Sequence, residues 1–438
     1  MRAATTSAHN APALLALAEA APMDEHCFGA DVTQEALDRF RADGLPNRSD
    51  EQWRYTSLKE LKSLSYRCPA VDDSFTFKPA DEDRLAFGTG WSALLVFQNG
   101  RFIQNASSME CLPEGVCIRR IEGGARPIAH SGPTGFSDLN TLLATDAMEL
   151  VIDPDTQVST PIQFLFLNDA SEGSIPTLHS TRVVVRMGAN SSASILENHT
   201  GPDGAVYLSN SLTDCHLSEG ASLSLHHLQR GSESAHHIAR ISATQMSNSH
   251  LSAFTVATGG KRSRLDLCAR HEGTLATTVL NGLYIARGEQ HMDHHIEVDH
   301  QQPHGRSGQT FRGILADAST GVFNGRVHVA VDAQQVDAQQ SNRNLLLSRD
   351  AVVSAKPELE VYADDVKCAH GTTIGELDPR QIFYLRSRGL PEVEAKDLLT
   401  FAFASDLVQR IEIPAVAARL TDFMSSRFSR AQDVEELL

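Results

Sequence analysis

From about residue 150 to residue 372 the chain offers hardly a stretch that could sustain a helix. Short runs rich in Val, Ile, Leu and Thr follow one another, punctuated by Gly, Asn, Asp and Ser. Thr181 to Met187, Ala193 to Leu196, Ser222 to Leu228, Leu251 to Ala257, Thr274 to Ile285, Gly325 to Val331 and Asn344 to Leu347 read as strands. Gly188 to Leu196 and Ser218 to Leu225 echo each other about one or two coils of a solenoid apart. Mainly β structure in a coiled strand stack, each coil burying its inner face on the next, is the natural consequence. A sandwich or barrel gives a similar pattern. So long a succession of strands without clear hairpin pairing exceeds what those architectures usually hold.

The flanks differ. Up to about residue 85 the pattern is helical: Thr33 to Arg41 has apolar residues at helical spacing, and Ser57 is placed to cap Leu58 to Leu64. Ala93 to Phe97, then Asn99-Gly100, then Arg101 to Ile103 predict a hairpin, and a helix is expected near Leu139 to Met148. Helices return at Asp378-Pro379 and pause at Gly389-Leu390-Pro391. The next carries an apolar stripe of Val393, Leu398, Leu399, Ala402, Phe403, Leu407 and Val408, and a third from Pro414 carries Val416, Leu420, Phe423 and Met424. So much apolar surface closes a small bundle, the commoner outcome, or docks on a partner. The division expected is an N-terminal helical segment over 1–85, a β core over 86–372 with an irregular first part over 86–150, and a C-terminal helical segment over 373–438.

The net charge of −17, with no compensating Lys/Arg block, argues against a nucleic-acid surface. Seven scattered cysteines with no C-x-x-C pair fit neither a disulfide framework nor a zinc knuckle, so a reducing, cytoplasmic setting is expected. Ala13 to Leu17 is too short for a signal core or a membrane span. There is no G-x-x-x-x-G-K-[ST], no G-x-G-x-x-G opening a helix, no G-x-S-x-G and no H-E-x-x-H; nucleotide hydrolysis would have to come from another protein.

Two loci offer chemistry. Cys368-Ala369-His370-Gly371 sets a thiol and an imidazole two positions apart, a donor pair suited to iron, zinc, copper(I) or sulfur handling. The run Leu359 to Lys367 alternates as a half-buried strand should, which would put Val366, Cys368 and His370 on one face. A buried thiol beside a hydrogen-bonded histidine is the alternative. The second locus is His291 to His300, with His304 beyond: on a strand, His295, Glu297 and Asp299 share one face while His294 and His300 share the other. His294, His295 and His300 are weaker metal candidates, because polar rungs also stack along solenoids through hydrogen bonds. The pairs His226-His227 and His236-His237 lack acidic neighbours in sequence. Asp364 and Asp365, read as opposite faces of a strand, suit salt bridging or solvation.

The motifs Gln290 to His295, Gly321 to Arg326, Asp337 to Asn342, Asn344 to Leu347 and Tyr362 to Gly371, in this order, resemble the SufB/SufD family of iron-sulfur cluster assembly scaffolds. Glu51 to Thr56, the Asp293-His294-His295 segment and Leu385 to Gly389 are similar to the SufD side of that pair. The resemblance implies a right-handed parallel β-helix with N- and C-terminal helical segments. It implies a non-catalytic subunit that pairs with a SufB-like paralogue through the β-helix and holds a SufC-like ATPase through its C-terminal helices, with a homodimer possible in isolation. It also implies that Cys368 and His370 lie at the paralogue interface, His370 helping to build a nascent cluster shared with the partner. Flavin binding is left open by these motifs. The other reading is an enzyme on the same solenoid, a polysaccharide lyase or a metal-dependent oxidase using the His291 to His304 cluster; a lyase would need an open groove of mixed charge.

Overall fold

The structure is a computed structural model that describes residues 10–21, 27–69, 85–88, 90–121, 134–168 and 175–427. Parts of the expected terminal helical segments, 1–9, 70–84 and 428–438, lie outside the described residues.

The core is a parallel β-helix of two sheets. One holds β1 (Ala93–Gln98), β2 (Arg101–Phe102), β5 (Ile162–Leu167), β7 (Ser192–Thr200), β9 (Ser222–Arg230), β11 (His250–Ala257), β13 (Thr277–Ala286), β15 (Arg306–Leu315), β17 (Asp337–Leu346) and β19 (Lys367–Gly375). The other holds β3 (Val116–Arg120), β4 (Ala147–Ile152), β6 (Thr177–Met187), β8 (Tyr207–Leu217), β10 (His236–Gln245), β12 (Arg262–His271), β14 (His291–His300), β16 (Thr320–Val329) and β18 (Val352–Val361). From β4 onward the chain alternates between sheets, so each strand pairs in parallel with the one two places later. Coil length varies: one turn carries the chain from His236 to its partner Arg262, and a longer one carries it from Thr320 to Val352. Among the described strands, β1 with β2 and β3 with β4 run antiparallel; the first is the expected hairpin, with Asn99 and Gly100 both at positive φ as a primed turn requires.

A column of corners sets the coil register. Asp155, Asn190, Gly220, Asn248, Leu275, His304 and Gln335 all sit at positive φ. Each donates its N–H to a carbonyl one coil further on: Ala189, Glu219, Ser247, Thr274, Pro303, Gln334 and Asp365. The two echoing segments are successive turns of this column, a single coil apart, since Ser192 pairs with Ser222. His304 is therefore a corner residue, beyond the end of the strand that carries its neighbours.

Inward positions alternate along each strand and fill the lumen with Leu95, Phe97, Phe164, Phe166, Val185, Ile195, Leu225, Ile241, Leu267, Ile296, Phe311 and Phe323. Glycine appears where rings need room: a Cβ on Gly282 would overlap the Phe311 ring.

Both outer faces are roofed by helices. α1 (Pro12–Ala20), α2 (Ala30–Asp43), α3 (Lys59–Ser63) and α4 (Gly135–Leu143) bury Leu14, Phe40, Leu61 and Leu139 against Leu178, Leu208 and Ile238 of the even-numbered sheet. Ala13 to Leu17 lies within α1 and packs in this layer, and no helix among the described residues is long and apolar enough to cross a membrane. Ser57 Oγ accepts from Lys59 N at 3.4 Å, beside the start of α3. The helix expected over Leu139 to Met148 is α4, and it ends at Leu143: Ala144 turns extended and Ala147 begins β4, whose Met148, Leu150 and Ile152 are lumen residues. Period two wins there because the coil below supplies a partner strand.

At the other end α5 (Pro379–Ser387), α6 (Glu392–Val408) and α7 (Pro414–Arg427) follow. Asp378 caps α5, its side chain accepting from Arg380 N, and Gly389 stands at φ 102° just beyond it, as the sequence predicts. The expected self-contained bundle does not form. Leu407 and Val408 of α6, Ile411 and Ile413 of the connection, and Val416, Leu420 and Met424 of α7 pack on Leu196, Leu228, Phe254, Val256, Leu283, Ile285 and Ile314, the outward apolar residues of the odd-numbered sheet. Val393 stays exposed, as do Phe383 and Tyr384 of α5, and Val393 and Phe383 line one open groove.

Candidate functional site

Among the described residues, nothing caps the last coil of the solenoid. β19 pairs only with β17, and β18 only with β16, so both terminal strands present a free edge among the described residues. Cys368 sits over Ala338 and His370 over Gln340, both partners being inward residues of β17. Inward positions of the last coil have no coil above them, so the same alternation that buries Gln340 leaves His370 exposed. Cys368 is half-buried and packs with Val366 near Val327, Val329, Val336 and Ala338. Burial pushes its thiol up, so metal ligation there needs the proton drawn off by the ion itself.

Leu359 to Lys367 is not one strand. β18 ends at Val361, the chain turns at Asp364 and Asp365, and β19 starts at Lys367. Asp365 serves that corner, its carbonyl accepting from Gln335 N and its N–H donating to Gln334 Oε1. The alternating pattern conceals the corner because both strands and the turn keep Leu359, Ala363, Val366 and Cys368 in one apolar cluster.

His291 to His300 is strand β14, and its two faces divide as the alternation requires. His294 and His300 point into the lumen, and half-buried His295 lies on the outer face with its Nε2 3.1 Å from Asp293 Oδ1. His294 and His300 are separated by about 20 Å along the strand, so these three histidines do not meet at one ion. Instead His294 stacks on Tyr284 at 4.7 Å between centroids, and His300 bonds Ser307 Oγ at 2.9 Å and meets His271 edge-on. Burial lowers His294 and His300 to about 4, keeping both neutral.

The Glu51 to Thr56 motif fastens the N-terminal layer to the solenoid. The Trp53 ring lies 3.8 Å below the guanidinium of fully buried Arg264, and it stacks on Phe136. Arg264 also reaches Asp293 at 2.7 Å, Asp266 at 2.7 Å and the Gln52 carbonyl at 2.8 Å, while Thr56 bonds His291 and Asp293. Beside it runs a groove of about 280 Å³ lined by Glu51, Arg240, His295, Glu297, Arg326 and Lys356 among others. Several of its charges satisfy one another: Arg326 pairs with Glu297 and Glu360, and Lys356 with Glu51 and Glu358.

One acidic partner escapes the linear sequence. Glu197 lies in register with His227 one coil away and accepts its Nδ1–H at 2.9 Å, both groups being buried. The spacing from Glu197 to His227 is the repeat already visible between Ser192 and Ser222, and that signal could have found the pair.

Family comparison agrees with this architecture. The SufBD core domain of the SUF system for FeS cluster assembly matches residues 166–403, and the SufBD N-terminal region matches residues 28–164. The chain belongs to the SufBD family of iron-sulfur cluster assembly proteins. Among its relatives, a SufBD family protein of Synechocystis sp. is 31% identical over 415 residues, spanning 90% of each chain. The iron-sulfur cluster assembly protein SufD of Escherichia coli is 28% identical over 393 residues, covering 88% of this chain and 91% of its own. SufD of Bacillus subtilis is 25% identical over 300 residues, 66% of each chain.

Proposed function

We propose that this chain is the non-catalytic scaffold subunit of a SufBCD-type complex, presenting His370, with Cys368 beside it, to a nascent iron-sulfur cluster at the junction with a SufB-like paralogue. The observation that carries the reading is the uncapped last coil, where an exposed imidazole and a half-buried thiol occupy neighbouring inward positions of a free-edged strand. Two free parallel edges side by side are suited to strand addition by a second β-helix. Val352, Tyr362 and Ile374, all exposed, border that end and gain apolar cover when a partner docks. The imidazole offers a borderline nitrogen donor in the open, and the thiol becomes a ligand once iron displaces its proton.

The ATPase partner is assigned to the C-terminal helices. The inner faces of α6 and α7 are already used on the solenoid, so the proposed contact is Phe383, Tyr384 and Val393, beside a groove of about 680 Å³ lined by α5 and α6. ATP-driven closure of the two scaffold subunits would then act on the adjoining last coil, because α5 begins at Pro379, directly after β19 ends at Gly375.

Cys368 also supports a second reading, as an apolar filler of the terminal cluster that stabilises the interface without touching iron. The solenoid-enzyme alternative draws on the mixed-charge groove near His295, but the mutual pairing of its charges leaves less of them to a substrate. The test is His370→Ala and Cys368→Ala, each co-purified anaerobically with SufB and SufC homologues, with iron and sulfide measured. His370→Ala should assemble the complex normally and abolish cluster formation. Normal cluster yield from His370→Ala overturns its role, and normal yield from Cys368→Ala makes the thiol structural.

A further inference from the structure

Deep in the lumen, far from the last coil, three imidazoles converge. His199 comes from β7 and His227 from β9, neighbouring strands of one sheet, and His237 comes from β10 on the facing sheet. All three side chains are buried, and one ring nitrogen from each lies within 4.8 Å of the other two. Their ring centroids are 4.9, 4.8 and 5.8 Å apart. Both nitrogens of His199, Nε2 of His227 and Nε2 of His237 have no hydrogen-bond partner. Buried polar atoms are ordinarily satisfied, so this many orphaned nitrogens at one point call for an occupant.

We propose that His199, His227 and His237 form an internal binding site for a divalent first-row transition metal, with zinc the ion its three-imidazole donor set best suits. A buried carboxylate already orients one of the rings. Glu197 accepts the Nδ1–H of His227 and also the hydroxyl of Thr213, which fixes the His227 tautomer with its Nε2 lone pair free for an ion. Phe166 stacks on His199 at 4.4 Å and closes that side. Tetrahedral zinc with bonds of about 2.0–2.1 Å needs nitrogens about 3.4 Å apart, so each ring nitrogen moves inward by about 0.8 Å, a modest side-chain rotation. A water would complete the tetrahedron. This site is independent of the cluster-building role of His370, and its failure would leave that role standing.

The full chain, expressed in zinc-supplemented medium and passed over chelating resin, should retain one zinc per chain, with three imidazole nitrogens in its X-ray absorption spectrum. Because the site is enclosed, the ion should survive chelator on the folded protein and leave only on unfolding. Refolding with cobalt(II) should give the visible bands of a four-coordinate ion. His237→Gln and His227→Gln should each lower metal retention by about tenfold or more. Absence of stoichiometric zinc and of cobalt bands in the wild-type chain overturns the proposal and leaves buried water as the occupant. Sulfur in the zinc shell, or undiminished zinc in folded His237→Gln, overturns it equally. If the variants fail to fold, the wild-type absorption spectrum decides by itself.

Discussion

Replacing Arg264 with Ala tests how the N-terminal layer is fastened to the solenoid. The guanidinium is 1% exposed, and its main partner Asp293 is fully buried. Burial alone would push the Asp293 carboxyl up, yet Arg264 and His295 hold it well below the usual carboxylate range. Removing one member of a buried pair strands the other charge and costs about 3–5 kcal/mol. The Trp53 face loses a desolvated cation worth up to about 2 kcal/mol. These contributions share one guanidinium, so a total of about 4–5 kcal/mol is expected rather than their full sum. Most of it should appear as local release of Glu51 to Thr56, read by hydrogen exchange and limited proteolysis, with the denaturation midpoint lowered as well. Asp266 is 27% exposed at the rim, and Asp266→Ala should cost only about 1 kcal/mol. Arg264→Met combined with Asp293→Leu should recover much of the single-mutant loss, because no charge is then left alone. A loss below about 1 kcal/mol for Arg264→Ala, or a double variant worse than the single, would refute this account.

Nine histidines among the described residues, eight buried and His291 half-buried, give the chain a pH-dependent stability. Burial lowers His226, His236, His291, His294 and His300 to about 4 and His179 and His271 to about 3, and it holds His199 and His237 well below the usual range. Unfolded histidines titrate near about 6.5. The unfolded state therefore binds more protons below that pH, and the stabilisation is complete above about 6.5 and lost as pH falls toward about 4. Denaturation midpoints across this window should report uptake of several protons on unfolding, and a flat profile would contradict the assignment. On α5, Phe383→Asp with Tyr384→Ser should weaken binding of the SufC-like ATPase by about tenfold or more without lowering thermal stability, since both side chains are largely exposed. Unchanged affinity in a titration would move the ATPase contact elsewhere.

Signals confined to a few neighbouring residues were legible in the chain itself. Asn99-Gly100 dictates a hairpin, Asp378-Pro379 opens a helix and Gly389 ends it, and strand alternation divides the faces of His291 to His300. The family motifs, the strand-rich core and the placing of Cys368 and His370 on one face follow from the same short-range patterns.

Whatever depends on which coil lies above which was decided by tertiary structure. The corner column is announced by Asn190, Gly220 and Asn248, but it continues through Leu275, His304 and Gln335, whose left-handed backbone is held by carbonyls a coil away and leaves no mark in local preference. Met148 joins a strand rather than a helix because the lumen supplies a partner, and the apolar stripes of the C-terminal helices settle on the chain's own sheet because Phe254, Leu283 and Ile314 offer it a matching surface. Glu197, His227 and His237 meet only because stacking two sheets across a narrow lumen turns positions well apart in the chain into direct neighbours. Side-chain alternation is a property of the strand, but the partner each side chain meets is a property of the coil register.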